Sequence, residues 1–439
     1  MLERGATMIH ILIRYLGIKT KLLENIKEAV EDFSGCNKTI LDLFAGSNVV
    51  GQFLAEGRNI YSNDIQKYSY VVAKATLDIN KEHNYTCLNI DKIFQSKYYK
   101  KNYDRIFKIF KSPLTYERDL LEKCKNETNY NNLKELEILY NNTPYTNNFN
   151  ENVECFSGLK DYYTEIYYNN LKIEDQYMLF TLNYAMPYFT LNQAVEIDSL
   201  RCAIELLYRN KEINETEYYV YLSLLIYALQ NIVTSIGDHF AQPQILKISE
   251  EKKYKKEVDK ILYKKTLKIY DLMFAKQEEF KNIDVKKYGE NKCFNLDAKK
   301  LLENETIMDH VDIIYMDPPY TNAHYSRFYH ILETLVNYNY PKLEFNGRYS
   351  EERYQSPYCI KTKASKEFEN LIEICSIKNK KLIISYSDTS QCIIDYETMK
   401  EICNKYYKKV KINKIDYLYR NLGQKPNKVK GNELLIICE

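Results

Sequence analysis

Tryptophan is absent from this 439-residue chain, and glycine (12) and proline (9) are scarce. So few chain breakers over such a length argue for long helices and against an all-β sandwich. An excess of one charge is missing too: 62 Lys and Arg stand against 60 Asp and Glu, a net +2. That excludes a global basic signature of nucleic-acid binding and leaves only local patches to carry one. No Cys-x-x-Cys or Cys-x-x-His pair occurs among the 11 cysteines. Neither a zinc site nor a disulfide framework is therefore indicated, and no metal is expected. The thiols read as buried or incidental groups of a reducing cytoplasm. The opening run MLERGATMIHILIRYLG lacks the long apolar core and small-residue cleavage site of a signal peptide. Tyr218 to Gly237 carries no charge for 20 residues, yet it holds Gln230, Asn231, Thr234 and Ser235. It reads as a buried core helix rather than a membrane span.

What is present is the balance of a globular protein, with 45% hydrophobic and 28% charged residues. The length suits roughly two or three domains. Tyrosine is so common (43) that a lone tyrosine says little about function. Leu22, Leu23, Ile26 and Val30 have helical spacing. TILDLF (39–44) is a buried strand that enters the turn AGSN, and VVGQFLAEG is a short helix closed by Gly57. NIYSND (59–64) is a second strand with an acid at its tip, followed by an amphipathic helix from Lys67. Strand, tight turn, helix and acid-tipped strand open a doubly wound α/β sheet. From about 86 to 285 the pattern turns helical, with two long helices over 192–236 and a lysine-rich one over 252–268; NNTPYTNNFNEN (141–152) reads as a loop. The sheet resumes with KCFNLDA (292–298), VDIIYMDPPY (311–320) and KKLIISYSDTS (380–390), and KVKINKIDYLYR and NELLIICE suggest a terminal hairpin. The expected organisation is an α/β domain in two parts, 1–85 and 286–439, interrupted by a large helical insert, 86–285.

Three local signals carry the chemistry. In LDLFAGSNVVG (41–51) a small-residue turn brings backbone N–H groups and a helix N-terminus toward a ligand, and Asp64 follows Gly46 by 18 residues, a spacing that suits a carboxylate on ribose hydroxyls. Each is weak alone. Stronger is Asp317-Pro318-Pro319-Tyr320 after an apolar strand. Two prolines remove two N–H donors, so the carbonyls there can only accept hydrogen bonds. Asp317 adds an acceptor at the strand's carboxyl end, and Tyr320 adds a flat face. Acceptors beside a stacking plane suit a flipped-out base with an exocyclic amino group.

FAG followed by DPPY, with RYLGIK (14–19) before both and the insert between them, resembles the Dam-like α group of S-adenosylmethionine-dependent adenine-specific DNA methyltransferases. The resemblance implies a Rossmann-like methyltransferase sheet and a target-recognition role for the insert. It implies that Tyr15 and Lys19 lie along the cofactor. Asp42, Phe44 and Gly46 would form the turn beneath its methionine part, with Asp64 on the ribose and Asp297 at the adenine ring. Asp317, Pro318, Pro319 and Tyr320 would hold the target base for direct methyl transfer to the amino nitrogen. Double-stranded DNA is the expected partner, with a cognate restriction endonuclease beside it and no membrane. Where the family usually has a second glycine, this chain has Asn48. The alternatives are a cytosine exocyclic-amino methyltransferase and a non-catalytic DNA-binding protein on the same fold.

Weaker features stay open. His324 and His330 favour packing or phosphate contact over a metal; Arg327 fits DNA or solvent equally. GDHFAQ (237–242) reads as a helix terminus in preference to a segment that approaches the cofactor or the target base, and SYSD (385–388) either lines the base pocket or only ends a strand. Between Lys405 and Lys430 nine basic residues face the single acid Asp416. This patch frames a loop between two strands, so Arg420, Lys425, Lys428 and Lys430 are candidates for phosphate contact. The lysine helix at 251–268 is the lesser one.

Overall fold

The computed structural model describes residues 11–33, 38–78, 85–141, 177–244, 246–248, 255–283, 289–344, 348–420 and 428–439. It divides into two compact units. One comprises Met1–Thr86, Phe280–Tyr329 and Arg353–Glu439, and the other Cys87–Glu279 and His330–Glu352.

Nine strands occur among the described residues: β1 (Thr39–Asp42), β2 (Asn59–Asn63), β3 (Lys292–Phe294), β4 (Ile313–Met316), β5 (Leu343–Glu344), β6 (Tyr349–Ser350), β7 (Lys381–Asp388), β8 (Val410–Arg420) and β9 (Lys428–Cys438). Seven of them build the sheet of the first unit in the order β3-β2-β1-β4-β7-β9-β8. Only β9 runs against its neighbours. The strand order turns back between β1 and β4, which makes their carboxyl ends the topological switch point of the sheet, where open α/β sheets place their ligands.

Both faces of the sheet are covered, so its central strands are apolar without a break. Side chains alternate between the faces. Leu41, Ile314, Met316, Leu382 and Ile384 pack with Leu301, Phe368, Leu371 and Met399 from helices Ala298–Leu302, Lys361–Ile377 and Tyr396–Tyr406. Ile40, Ile313, Tyr315 and Ile383 pack the other way, with Leu23, Ile26, Val50 and Leu54 from helices Leu23–Glu31 and Val49–Leu54. The terminal hairpin is longer than its apolar pattern suggests. β9 begins at Lys428, because the ladder with β8 continues to the pair Arg420↔Lys428.

The second unit is mainly helical, with a two-stranded ribbon of β5 and β6. Its long helices are Leu191–Arg209 and Glu215–Ile232, and no helix among the described residues is long and apolar enough to cross a membrane. Thr190 and Gln193 form a capping box at the start of the first of these helices. Buried Glu117 accepts the N–H groups of Leu191 (2.8 Å) and Asn192 (3.0 Å). A carboxylate there meets orphan donors and the positive end of the helix dipole together. Buried Asp198 does similar work for Phe180 and Thr181, and Tyr338 donates its hydroxyl to it. The lysine-rich helix spans Lys255–Thr266, and most of the Asn-dense loop lies outside the described residues.

Candidate active site

A cleft opens at the switch point, entirely within the first unit, and it encloses about 960 Å³ including its mouth. Tyr15, Lys19, Asp42, Phe44, Gly46, Asp64, Asp317, Pro319 and Tyr320 all line it.

The β1 side is built on a tight turn. Gly46 has φ +51°, and a Cβ there would lie 2.8 Å from the ring of Tyr15, so only glycine fits. Its N–H donates to Asp64 Oδ2 (2.8 Å), and Gln66 N–H donates to Asp64 Oδ1 (2.8 Å). Burial raises the Asp64 carboxyl to about 6, against the pull of those two N–H bonds. Both Asp64 oxygens thus already hold backbone, and the Ser69 hydroxyl lies against the same carboxylate. Asn48 takes the left-handed conformation (φ 61°) ahead of helix Val49–Leu54. Its amide donates to Ser69 O (3.0 Å) and accepts the Ser62 hydroxyl (2.5 Å). The residue in the usual glycine position therefore ties the turn to β2 and to helix Lys67–Thr76. Asp42 is 2% exposed and its Oδ1 has no hydrogen-bond partner. Burial, reinforced by Asp317 and Asp64, pushes its carboxyl well above the carboxylate range.

The β4 side is built on charge. Lys19 Nζ lies 3.0 Å from Asp317 Oδ1 and 2.8 Å from Glu433 Oε1. Ser385 on β7 donates its hydroxyl to the same Glu433 oxygen (2.7 Å). Burial alone would lower the Lys19 ammonium, but Asp317 and Glu433 hold it well above its ordinary value. Burial raises Asp317 to about 6 in spite of Lys19. Tyr320 sets its ring edge-on to Tyr386 (5.9 Å, 69°), and its carbonyl accepts Ile393 N–H (2.9 Å). Between the two sides, Tyr15 stacks on Tyr325 (5.2 Å) and Tyr329 (5.0 Å).

Other candidates sit elsewhere. Pro318 is buried behind the turn, outside the lining. Asp297 turns its carboxylate back to cap helix Ala298–Leu302, accepting Lys299 N–H (3.0 Å) and Lys300 N–H (3.3 Å); its neighbours Leu296 and Ala298 line the cleft instead. Arg420 and Lys428 end β8 and begin β9 directly opposite one another, and Lys430 faces Leu418. Because Asp388 at the end of β7 pairs with Asn432, this hairpin rises from the same sheet edge as the cleft. Lys425 lies outside the described residues. His324 lines the cleft, whereas His330 belongs to the second unit and bonds Phe240 O (2.9 Å). Among the described residues no group of His, Cys, Asp or Glu is arranged to hold a metal.

A family model for the D12 class N6 adenine-specific DNA methyltransferases matches this chain over residues 15–185 and 164–402. The chain belongs to that family. It is 27% identical over 396 residues to modification methylase StsI of Streptococcus sanguinis, covering 90% of this chain and 46% of that one. It is 26% identical over 380 residues to type II methyltransferase M.FokI of Planomicrobium okeanokoites, covering 85% and 44%. It is 22% identical to type II methyltransferase M.NlaIII of Neisseria lactamica, covering 82% and 79%. The chain thus spans about half the length of the first two relatives.

In this D12-class chain, sequence reasoning missed Glu433, Tyr325 and Tyr329, and of its two readings of SYSD the structure puts Ser385 on Glu433, outside the cleft lining. The two tyrosines are masked by the abundance of their kind. Glu433 had one signal: a lone acid pointing inward at the head of the apolar strand NELLIIC.

Proposed function

We propose that this chain transfers a methyl group from S-adenosylmethionine to the exocyclic amino nitrogen of adenine in double-stranded DNA, as the modification half of a restriction–modification system. The observation that carries this reading is the meeting of Asp317, Pro319 and Tyr320 with the Asp42–Gly46 turn in one cleft across the β1/β4 switch.

The lining suits the donor. Three carboxylates, Asp42, Asp64 and Asp317, face the single ammonium of Lys19, and one Asp42 oxygen is orphaned. A ligand carrying a sulfonium and an amino group would favour the ionised forms of these buried acids and be held by them. S-adenosylmethionine supplies an electrophilic methyl on a cationic sulfur. Asp42 and the Gly46 turn would hold its methionine end, and Asp64 its ribose hydroxyls. Asp317 and the Pro318 carbonyl would accept the two amino hydrogens of the target base and turn the nitrogen lone pair outward. No N–H from the two prolines competes for those acceptors. Tyr320 would stack on the extruded base, worth about 1–3 kcal/mol. This is catalysis by positioning and electrostatics. In this reading the second unit selects the target sequence, and the β8–β9 hairpin with Arg420, Lys425, Lys428 and Lys430 grips phosphates. A cognate endonuclease is the remaining partner.

The test is incubation with methyl-labelled S-adenosylmethionine and unmethylated bacteriophage DNA, followed by digestion to nucleosides. Label should appear in N6-methyladenine and fall by roughly a hundredfold or more in Asp317→Ala. Label in methylcytosine would overturn the base assignment. Absence of any cofactor binding would overturn the enzymatic reading.

A further inference from the structure

We propose that Glu433, on the antiparallel strand β9, is a positioning residue that shares the Lys19 ammonium with Asp317 and so keeps Asp317 a strong hydrogen-bond acceptor. The inference rests on the methyl-transfer reading and adds a residue to it. Glu433 lies beyond the 15–402 span that the family model matches.

An acid at 0% exposure in the middle of a sheet is costly unless it is paired. Glu433 is paired at both ends of a relay. Ser385 on the neighbouring strand donates to it, and Lys19 donates to it and to Asp317. Lysine has three donors in flexible array, so one ammonium can serve two carboxylates. Were Lys19 paired with Asp317 alone, the pair would be neutral. Shared with Glu433, the group of three keeps a net negative charge, which suits an amino nitrogen that becomes positive as it is methylated. The Ser385–Glu433 contact fixes this geometry from outside the cleft, since neither residue lines it.

Asp317 is faced by Lys19 from the N-terminal segment, by Glu433 from β9 and by Asp42 from the end of β1. Tyr315, Tyr320 and Tyr325 also lie around it. Burial pushes the three phenols upward, so they stay neutral while the carboxylates titrate. Removing the Glu433 charge should therefore lower the Asp317 titration midpoint and weaken it as an acceptor. Glu433 acts on Asp317 but is not among the groups that raise Asp42, so the Asp42 titration should stay where it is.

The experiment compares the full chain with Glu433→Gln and Ser385→Ala. The Asp317 titration is followed by carbon NMR on aspartate-labelled protein, assigned by its loss in Asp317→Asn. In Glu433→Gln the Asp317 midpoint should move down by roughly one pH unit. Single-turnover methylation above neutral pH should slow roughly three- to tenfold as acceptor basicity falls, with cofactor affinity unchanged. Ser385→Ala should move both readouts the same way by less, and it carries the test if Glu433→Gln does not fold. An unmoved Asp317 midpoint overturns the proposal, even if the rate falls, because a merely structural role would slow the enzyme without retuning Asp317. If the unaltered chain transfers no methyl, the functional reading fails, while the titration still decides the role of Glu433.

Discussion

The two walls of the cleft reach rigidity by different means. On the β1 side the turn is held by a web of hydrogen bonds without an ion pair: Gly46 N–H to Asp64, the Ser69 hydroxyl to Gly46 O (2.6 Å), and the Asn48 amide to Ser62 and Ser69. On the β4 side three charges hold one another, Asp317, Lys19 and Glu433, with 21%, 5% and 0% of their side chains exposed. The first arrangement keeps the backbone in a shape that a ligand can approach. The second sets the electrical state of Asp317, which in the proposed reading accepts hydrogen bonds from a base. A shape-keeping wall should respond to steric change and a charge-keeping wall to loss of an ion. The substitutions below separate the two.

The largest effect should come from Lys19→Met. It leaves Asp317 and Glu433 facing each other without a cation, and removing one partner of a buried ionic group costs about 3–5 kcal/mol. The lower end, about 3 kcal/mol, applies here because Asp317 is partly exposed. The sign with pH is fixed. Asp317 already lies above its unfolded value, and without Lys19 it rises further, so the folded form binds an extra proton, and the penalty is greatest at neutral pH and shrinks in acid. Urea midpoints for variant and parent between pH 5 and 8 measure this. Parallel curves with no pH-dependent gap would mean that the wall is not held by charge.

Gly46→Ala should act next, through shape alone. The new methyl meets the Tyr15 ring at 2.8 Å, and the residue must hold φ +51°. Backbone strain of this kind costs on the order of 1–3 kcal/mol. Because Tyr15 is clamped between Tyr325 and Tyr329, it has no easy retreat. Calorimetry should find S-adenosylmethionine affinity reduced by roughly tenfold or more, which is 1.4 kcal/mol or above, with no change in the pH profile. Unaltered affinity would show that the turn does not touch the cofactor.

The walls also differ in how much of them is legible in the sequence. Gly46, Asp64 and the Asp317–Tyr320 run each sit at the end of an apolar strand, and strands buried on both faces announce themselves as unbroken hydrophobic runs. Their chemistry is local in sequence. The Lys19–Glu433 contact joins opposite ends of the chain and depends on a strand order that no local pattern encodes. Asp297 shows the converse. Its place after a strand marks it for a ligand, yet the same place lets it cap the helix it precedes. In the second unit the helices Leu191–Arg209 and Glu215–Ile232 follow from periodicity. The cap that Glu117 places on the first helix comes from 74 residues upstream, where nothing in the local sequence points to it.

The smallest effect belongs to Asn48→Gly, and it tests whether the departure from the usual glycine weakens the turn. Glycine adopts the left-handed conformation more readily, which favours the variant by a few tenths of a kcal/mol up to about 1 kcal/mol. Against this, the substitution strands the Ser62 hydroxyl and frees Ser69 O, both buried. A lost buried hydrogen bond costs about 1 kcal/mol. Two such bonds outweigh the gain by about 1 kcal/mol or a little more, so thermal unfolding should shift downward by a few degrees, and cofactor affinity should stay within about twofold. A clear rise in affinity would mean that Asn48 handicaps this wall. Constant affinity with slightly lower stability would mean that the Asn48 amide replaces the freedom of a glycine by tethering the turn to β2 and the helix behind it.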